Sequence, residues 1–119
     1  MNDQIIRIDS NARASRIVIH GDTVYLAGIT ALGDGIQAQT REVFKKIDDL
    51  LALGGTDKSR LLTVQIWLRD IDRDFDGMNE VWAQWAPRDA MPTRATCEAK
   101  LAGTELLVEV VVTAARGVK

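Results

Sequence analysis

Apolar and polar residues alternate along several short stretches of the chain, which is the pattern of strands with one buried face. These stretches lie at residues 16–20, 23–29, 61–69, 94–101 and 105–114, and a further short edge strand is predicted at 5–9. Gly21-Asp22 separates the first two stretches, which therefore predict a hairpin. The last stretch is almost continuously apolar apart from Glu109.

The alternation also predicts which side chains share a face. One face of the strand at 61–69 carries Leu62, Val64, Ile66 and Leu68. In the strand at 94–101, Ala95, Cys97, Ala99 and Leu101 point one way and Arg94, Thr96, Glu98 and Lys100 the other. We therefore expect Cys97 to be a buried small hydrophobe. An antiparallel pairing of the last two strands through the turn at 102–104 would place Glu109 opposite about residue 97, with Arg94 about 10 Å further along.

In two segments the spacing of the apolar residues changes to that of a helix. Between residues 37 and 53 the apolar positions are Val43, Phe44, Ile47, Leu50 and Leu51, and Gly54-Gly55 supplies a stop. Residues 75–86 predict a shorter amphipathic helix with a stripe of Met78, Val81, Trp82 and Trp85. Pro87 ends this helix, and Asp70 to Asp74 is expected to form an acidic loop that can cap it.

Leaving aside the short edge strand at 5–9, the predicted elements follow the order β-β-α-β-α-β-β, which is typical of an α+β fold in one domain over residues 1–119. Two helices can cover only one face of so wide a mixed sheet. Two strands are nevertheless apolar on both faces, at residues 24–26 and 106–112. Because strands of that kind are buried on both sides, the second face needs a partner, and the simplest partner is another copy of the chain.

Composition narrows the function classes. Lys and Arg number 15 against 17 Asp and Glu, a net charge of -2. Proteins that bind nucleic acid or an anionic membrane normally carry a basic excess, so we expect neither partner. One Cys and one His exclude a disulfide framework and a zinc site built from those residues. With no targeting signal and no apolar run near the ~20 residues of a membrane-spanning helix, the expected compartment is the cytoplasm.

Arg94 and Glu109 stand in surroundings that are unusual for charged residues. Arg94 follows Pro92-Thr93 and opens a strand, where a guanidinium can clamp a substrate carboxylate; a structural salt bridge is the alternative. Glu109 lies between two valines, and a buried carboxylate is costly unless it is paired or hydrogen-bonded. It is therefore either paired with a Lys or Arg on a neighbouring strand or part of a working site.

The pattern around other candidate residues gives less support for a catalytic or binding role. His20 lies beside a hairpin turn and is expected on the surface rather than in a catalytic triad. Cys97 has little around it to activate a thiol. Trp82 and Trp85 are expected in the core or an interface, since a platform that stacks nucleic-acid bases needs basic neighbours.

Several short motifs follow one another along nearly the whole chain. They are the hairpin at 21–28, Gln39-Thr40 at the start of the long helix, Leu53-Gly54-Gly55 at its end, 64–68 (VQIWL), 78–82 (MNEVW), 92–96 (PTRAT) and 108–110 (VEV). In this order they resemble the RidA/YjgF family of reactive-intermediate deaminases. The opening residues 7–15 are most similar to the short YoaB-type branch of that family.

The resemblance implies a chorismate-mutase-like fold and a homotrimer with three clefts at subunit boundaries. Relatives that keep the strand-opening Arg hydrolyse enamines and imines, such as 2-aminoacrylate and 2-iminopropanoate, to 2-keto acids and ammonium. Arg94 matches that Arg and would hold the substrate carboxylate, while Glu109 matches the family's Glu and would orient the attacking water. Further implied substrate-binding positions are Thr96, Cys97, Ala27 and Gly28. No metal or organic cofactor is implied.

The chain departs from the family pattern in the walls of that cleft. Ala14 stands where many relatives have Tyr, Ala27 where many have Ser, and Thr96 where many have Cys. Two other functions compete with the deaminase. One is a non-catalytic protein that binds a keto acid or similar anion through Arg94. The other is a ribonuclease or translation inhibitor, which the acidic charge balance and the lack of a His pair disfavour.

Overall fold

Six strands and two long helices are present in the computed structural model, which describes residues 4–117. In chain order they are β1 (Ile5–Ser10), β2 (Ser15–His20), β3 (Thr23–Leu26), α1 (Ile36–Leu53), β4 (Leu61–Leu68), α2 (Ile71–Trp85), β5 (Thr93–Glu98) and β6 (Val108–Ala115). The strands form one mixed sheet in the order β1-β2-β3-β6-β4-β5. β5 runs parallel to β4, and all other neighbours are antiparallel. The predicted α+β class is confirmed.

Both helices pack on the same face of the sheet, as the sequence predicts. The strand side chains buried beneath them are Ile17, Ile19, Val24, Leu26, Val64, Ile66, Leu68, Val108, Val110, Val112 and Ala114. Their neighbours of opposite parity point to the other face, where Tyr25 is 46% exposed and Val111 is half-buried. One face of the sheet is therefore covered within the protomer and the other is not. Neither helix in the described part of the chain is long and apolar enough to span a bilayer.

The second helix begins earlier than the sequence predicts. Asp70 is its N-cap and accepts a hydrogen bond from the backbone N–H of Arg73. Asp72 and Asp74 lie in the first turn, where negative charge is favourable next to the positive end of the helix dipole. The prediction of a start at residue 75 was wrong because these acidic residues form the first turn rather than a preceding loop.

A strand irregularity reverses one predicted face. The pairing of β4 with β6 shifts register between Leu61 and Thr63. Leu61 is consequently buried, whereas Leu62 is 49% exposed. The prediction that Leu62 shares the buried face of β4 was wrong, because a bulge at the start of a strand inverts the alternation before it.

The last two strands do not pair with each other. β4 lies between β5 and β6 and pairs with both, so the predicted hairpin between them is wrong. Both strands are also shorter than predicted, and the connection between them is a loop in which Leu101 has a φ of 59°. Arg69 anchors this loop by donating from Nε to the carbonyl of Leu106 at 2.7 Å. Gln39 clamps it from α1, with its amide bonded to the backbone of Glu105 and Leu107 at 2.8 Å each.

Candidate active site

The guanidinium of Arg94 is held by α2. Arg94 lies opposite Val64 in the parallel ladder between β4 and β5, so its side chain projects from the edge strand towards the helix-covered face. Its Nη1 donates to Asn79 Oδ1 at 2.7 Å, and its Cζ lies 5.1 Å from the centre of the Trp82 ring. The contact with the ring face is a cation–π interaction. The side chain is therefore fixed on two sides before any ligand binds.

No carboxylate neutralises Arg94 within residues 4–117. The structural salt bridge that the sequence left open is therefore excluded for the described chain. Partial burial lowers the pKa of Arg94 from its ordinary value, since burial disfavours a charged group. An arginine still keeps its proton at neutral pH. A half-buried cation without an anion is a site that favours binding of an anionic ligand.

Thr96 lies on the same face, two residues beyond Arg94. Its Oγ1 is buried and has no hydrogen-bond partner among the described residues. A buried hydroxyl without a partner destabilises the folded chain. Thr96 therefore carries unmet hydrogen-bonding capacity on the same strand and the same sheet face as Arg94.

Glu109 occupies the opposite face of the sheet. It lies opposite Trp67 in β4, and Trp67 in turn lies opposite Cys97 in β5. Glu109 and Cys97 are thus level with each other, about 10 Å apart across two strand spacings. Cys97 is exposed in the protomer, so the prediction that it is buried was wrong: the alternation correctly grouped the apolar residues of β5 but they lie on the uncovered face.

A glycine makes room for the Glu109 carboxylate. The ladder of β3 stops at Leu26, and a single bridge between Ile29 and Val110 resumes the pairing. Gly28 lies in this gap, and a Cβ placed on it would overlap Glu109 Oε2. Glu109 takes part in no ion pair within residues 4–117, so the predicted alternative of a cross-strand pair with Lys or Arg is excluded there.

A cavity of about 270 Å³ opens beside this glycine. Its lining includes three positions that the sequence singled out, namely Ala14, Ala27 and Gly28. It also includes two cations that sequence reasoning missed, Arg16 and Lys46. The helical spacing of residues 37–53 shows only that Lys46 points away from the core. Nothing in the sequence shows that the end of its side chain reaches Thr30, to whose carbonyl it donates at 2.9 Å.

Apart from Cys97, the candidate site residues thus fall into two groups in one protomer. We call the first the arginine half, comprising Arg94, Thr96, Asn79 and Trp82. We call the second the glutamate half, comprising Glu109, Ala27, Gly28 and the cavity beside them. Cys97 shares the face of Glu109 but lines neither the cavity nor the arginine half. Because the halves lie on opposite faces, a single protomer does not bring Arg94 and Glu109 together.

Asn79 and Trp82 also escaped assignment from the sequence. Both belong to the MNEVW segment at 78–82, and Trp82 was expected in the core or an interface. Trp82 does pack edge-on against Phe44, with ring centres 6.0 Å apart, and offers its face to Arg94 as well. Among the described residues, no group of three or more His, Cys, Asp or Glu side chains could hold a metal ion.

Comparison with known proteins identifies relatives over almost the whole chain. The profile of the family described as Endoribonuclease L-PSP matches residues 4–116. A RutC family protein of Haemophilus influenzae is 41% identical over 113 residues, which make up 92% of this chain and 97% of that protein. The RutC family protein YoaB of Escherichia coli K12 is 37% identical over 112 residues, 93% of this chain and 97% of the relative.

A solved structure shares the fold in full. NMB1025 from Neisseria meningitidis, described as a member of the YjgF protein family, superposes with a TM-score of 0.95 at 34% identity and covers 98% of both chains. A more distant relative is the chloroplastic Reactive Intermediate Deaminase A of Arabidopsis thaliana. It is 28% identical over 90 residues, which cover 69% of this chain and 47% of that protein.

Proposed function

Because this chain belongs to the Endoribonuclease L-PSP family, the YjgF/RidA family of the resemblance, we propose that it hydrolyses small 2-imino and enamine acids to 2-keto acids and ammonium. The observation that carries this function is the guanidinium of Arg94, which is half-buried and has no anionic partner in the described chain. Asn79 occupies Nη1, which leaves Nε and Nη2 to bind a substrate carboxylate through two parallel hydrogen bonds.

The chemistry needs only a positioned carboxylate and one water. A protonated imine R–C(=NH2+)–COO− and H2O give R–CO–COO− and NH4+. The water oxygen bonds to the imine carbon while the C=N π electrons move to nitrogen, and one water proton passes through Glu109 to that nitrogen. The C–N bond then breaks, and the hydroxyl proton leaves with ammonia as the carbonyl forms. General acid–base catalysis of this kind contributes about 10² to 10⁴ in rate, and orientation adds to it.

We place the reaction in a cleft between two copies of the chain. Arg94 and Glu109 lie on opposite faces of one sheet, so a substrate that contacts both needs the arginine half of one copy and the glutamate half of another. The uncovered face of the sheet provides a surface for that contact. A head-to-tail contact of different surfaces forms a closed ring when its rotation closes, and we propose a homotrimer in the cytoplasm with three equivalent clefts and no cofactor.

The decisive experiment is an imine-trapping assay. An amino-acid oxidase generates 2-imino acids from several amino acids, and semicarbazide traps those that remain. We expect the wild-type protein to lower the trapped product and Arg94→Ala to restore it. Arg88→Ala, which changes an exposed arginine outside the site, is the matched control and should behave as wild type. Undiminished trapping of every imino acid with wild-type protein would refute the deaminase.

A non-catalytic anion-binding protein is the second candidate. One observation favours it: the arginine half is complete within one protomer, whereas the glutamate half lies on the other face. Such a protein would be stabilised against heat by keto acids, lose that effect in Arg94→Ala, and show no turnover. A ribonuclease, which the family description suggests, finds no support in the net charge of -2.

A further inference from the structure

The cavity of the glutamate half is cationic. Arg16 and Lys46 both line it, and none of the described residues that line it is acidic. The remaining polar lining comes from Asn11, Ser15 and Thr30. Two acids lie against lining residues from outside: Asp9, whose Oδ2 is 3.5 Å from Arg16 Nε, and Glu109, which lies against Gly28. A lining of this composition attracts an anion.

Both cations keep free donors. Lys46 donates one proton to the carbonyl of Thr30, which fixes the ammonium at the wall and leaves two protons for a ligand. Arg16 meets Asp9 at Nε, and the two side chains are 53% and 66% exposed. An exposed pair of this kind is worth little, so it does not occupy Arg16, and the two Nη groups remain available.

The size and position of the cavity fit the side chain of a small substrate. Its volume of about 270 Å³ lies just below the range of roughly 300 to 1,000 Å³ for sites that hold drug-sized ligands. Residues 14 and 27 are both alanine, so their side chains leave the space open. Gly28 lines the cavity and also touches Glu109, which puts the space next to the group that would orient water.

We propose that the preferred substrates are 2-imino acids that carry a second carboxylate on the side chain, and that Arg16 and Lys46 bind this carboxylate. This substrate class rests on the proposed deaminase function. Arg94 of the adjoining copy binds the carboxylate next to the imine, and Glu109 orients the attacking water. The cavity binds the carboxylate at the end of the side chain. A charge-assisted hydrogen bond to each cation selects against substrates with a neutral side chain.

The test compares 2-iminoglutarate with 2-iminopentanoate, which differ only by a terminal carboxylate in place of a methyl group. Both are generated by amino-acid oxidases and trapped with semicarbazide. We expect the wild-type kcat/KM to be at least about tenfold higher for 2-iminoglutarate. Arg16→Met and Lys46→Met should each remove most of this preference by lowering kcat/KM for 2-iminoglutarate towards the value for 2-iminopentanoate.

The matched control is Lys45→Met. Lys45 neighbours Lys46 on α1 but pairs with Asp49 at 3.5 Å and does not line the cavity, so both substrates should be unaffected. Lys46→Gln is a second variant should Lys46→Met fold poorly. Equal wild-type rates for the two imines would overturn the dicarboxylate preference and leave the deaminase standing.

Calorimetry separates the two proposals if neither imine is hydrolysed. The probes are the products 2-oxoglutarate and 2-oxopentanoate. Tighter binding of 2-oxoglutarate that is lost in Arg16→Met would support the anionic cavity even though the deaminase had failed. Equal affinity for both keto acids, or none, would overturn the cavity as a site for the second carboxylate.

Discussion

The two halves of the candidate site are built in different ways. The arginine half is assembled within one chain, where a strand supplies the cation and a helix supplies both Asn79 and Trp82 to fix it. The glutamate half is a carboxylate beside a glycine, on a face that the protomer leaves uncovered. A charge held in place by its own fold is ready to bind, whereas in the proposed cleft Glu109 meets a substrate that a second copy holds. The comparison predicts a division of labour, with binding in one half and chemistry in the other.

The largest expected effects on activity come from two variants that each remove one half of the site. Arg94→Ala and Glu109→Gln should each lower kcat/KM by at least about 100-fold. Co-expressing the two variants with different tags, and purifying the mixed oligomers, should restore activity. Each mixed trimer, with two copies of one variant and one of the other, has one of its three clefts with both halves intact, so about a third of wild-type activity is expected.

The co-expression result tests the shared cleft directly. Activity no higher than that of the separate variants would show that Arg94 and Glu109 do not act together across a boundary. Each variant co-expressed with a differently tagged copy of itself is the control for effects of the tags. Both of these control preparations should stay inactive.

Enlarging Gly28 should damage the glutamate half alone. In Gly28→Ala the new methyl group meets the end of the Glu109 side chain, which can swing aside, so we expect little loss of stability but a displaced carboxylate. kcat should fall at least about tenfold, while keto-acid binding through Arg94, measured by calorimetry, stays within about twofold. An unchanged kcat would show that the position of the carboxylate is not needed.

Weakening the support of Arg94 should have the converse effect. Asn79→Ala removes the acceptor that holds Nη1, at a loss of about 1 kcal/mol of folding stability. The guanidinium stays but loses its fixed geometry, so we expect KM to rise by about tenfold with kcat changed by less than about twofold. Asn79→Asp keeps the geometry but adds an anion beside Arg94 and should be worse than Asn79→Ala. Equal KM values for wild type and Asn79→Ala would remove Asn79 from the site.

The sequence predicted the fold well because the hydrophobic periods of the strands and of α1 are strong. It also predicted that only one sheet face would be covered by helices. The failures have local causes: the bulge that exposed Leu62, the cap that extended α2 back to Ile71, and the non-local pairing that inserted β4 between β5 and β6. Alternation along a strand groups side chains by face but does not say which face the helices cover, and Cys97 was misplaced for that reason.

Less of the site could be predicted. The unusual surroundings of Arg94 and Glu109 are visible in the chain, but the contact of Asn79 with Arg94 joins residues 15 positions apart, and the approach of Lys46 to Thr30 joins residues 16 positions apart. Neither spacing is periodic within one element. Both contacts follow from how the helices cross the sheet, which no local pattern encodes.

The smallest expected effect comes from Thr96, and it tests whether the arginine half binds substrate through this residue. Thr96→Val replaces the buried, unpartnered Oγ1 with a methyl group of similar shape. Removing an unsatisfied hydroxyl should stabilise the chain by about 1 kcal/mol, seen as a rise of a few degrees in Tm. If that hydroxyl is retained for a ligand, the same variant should raise KM for the imino acid. Thr93→Val, at an exposed position of the same strand, is the control. A stabilised Thr96→Val protein with wild-type KM would mean that Thr96 contributes nothing to binding, and that the arginine half is Arg94 with its two supports alone.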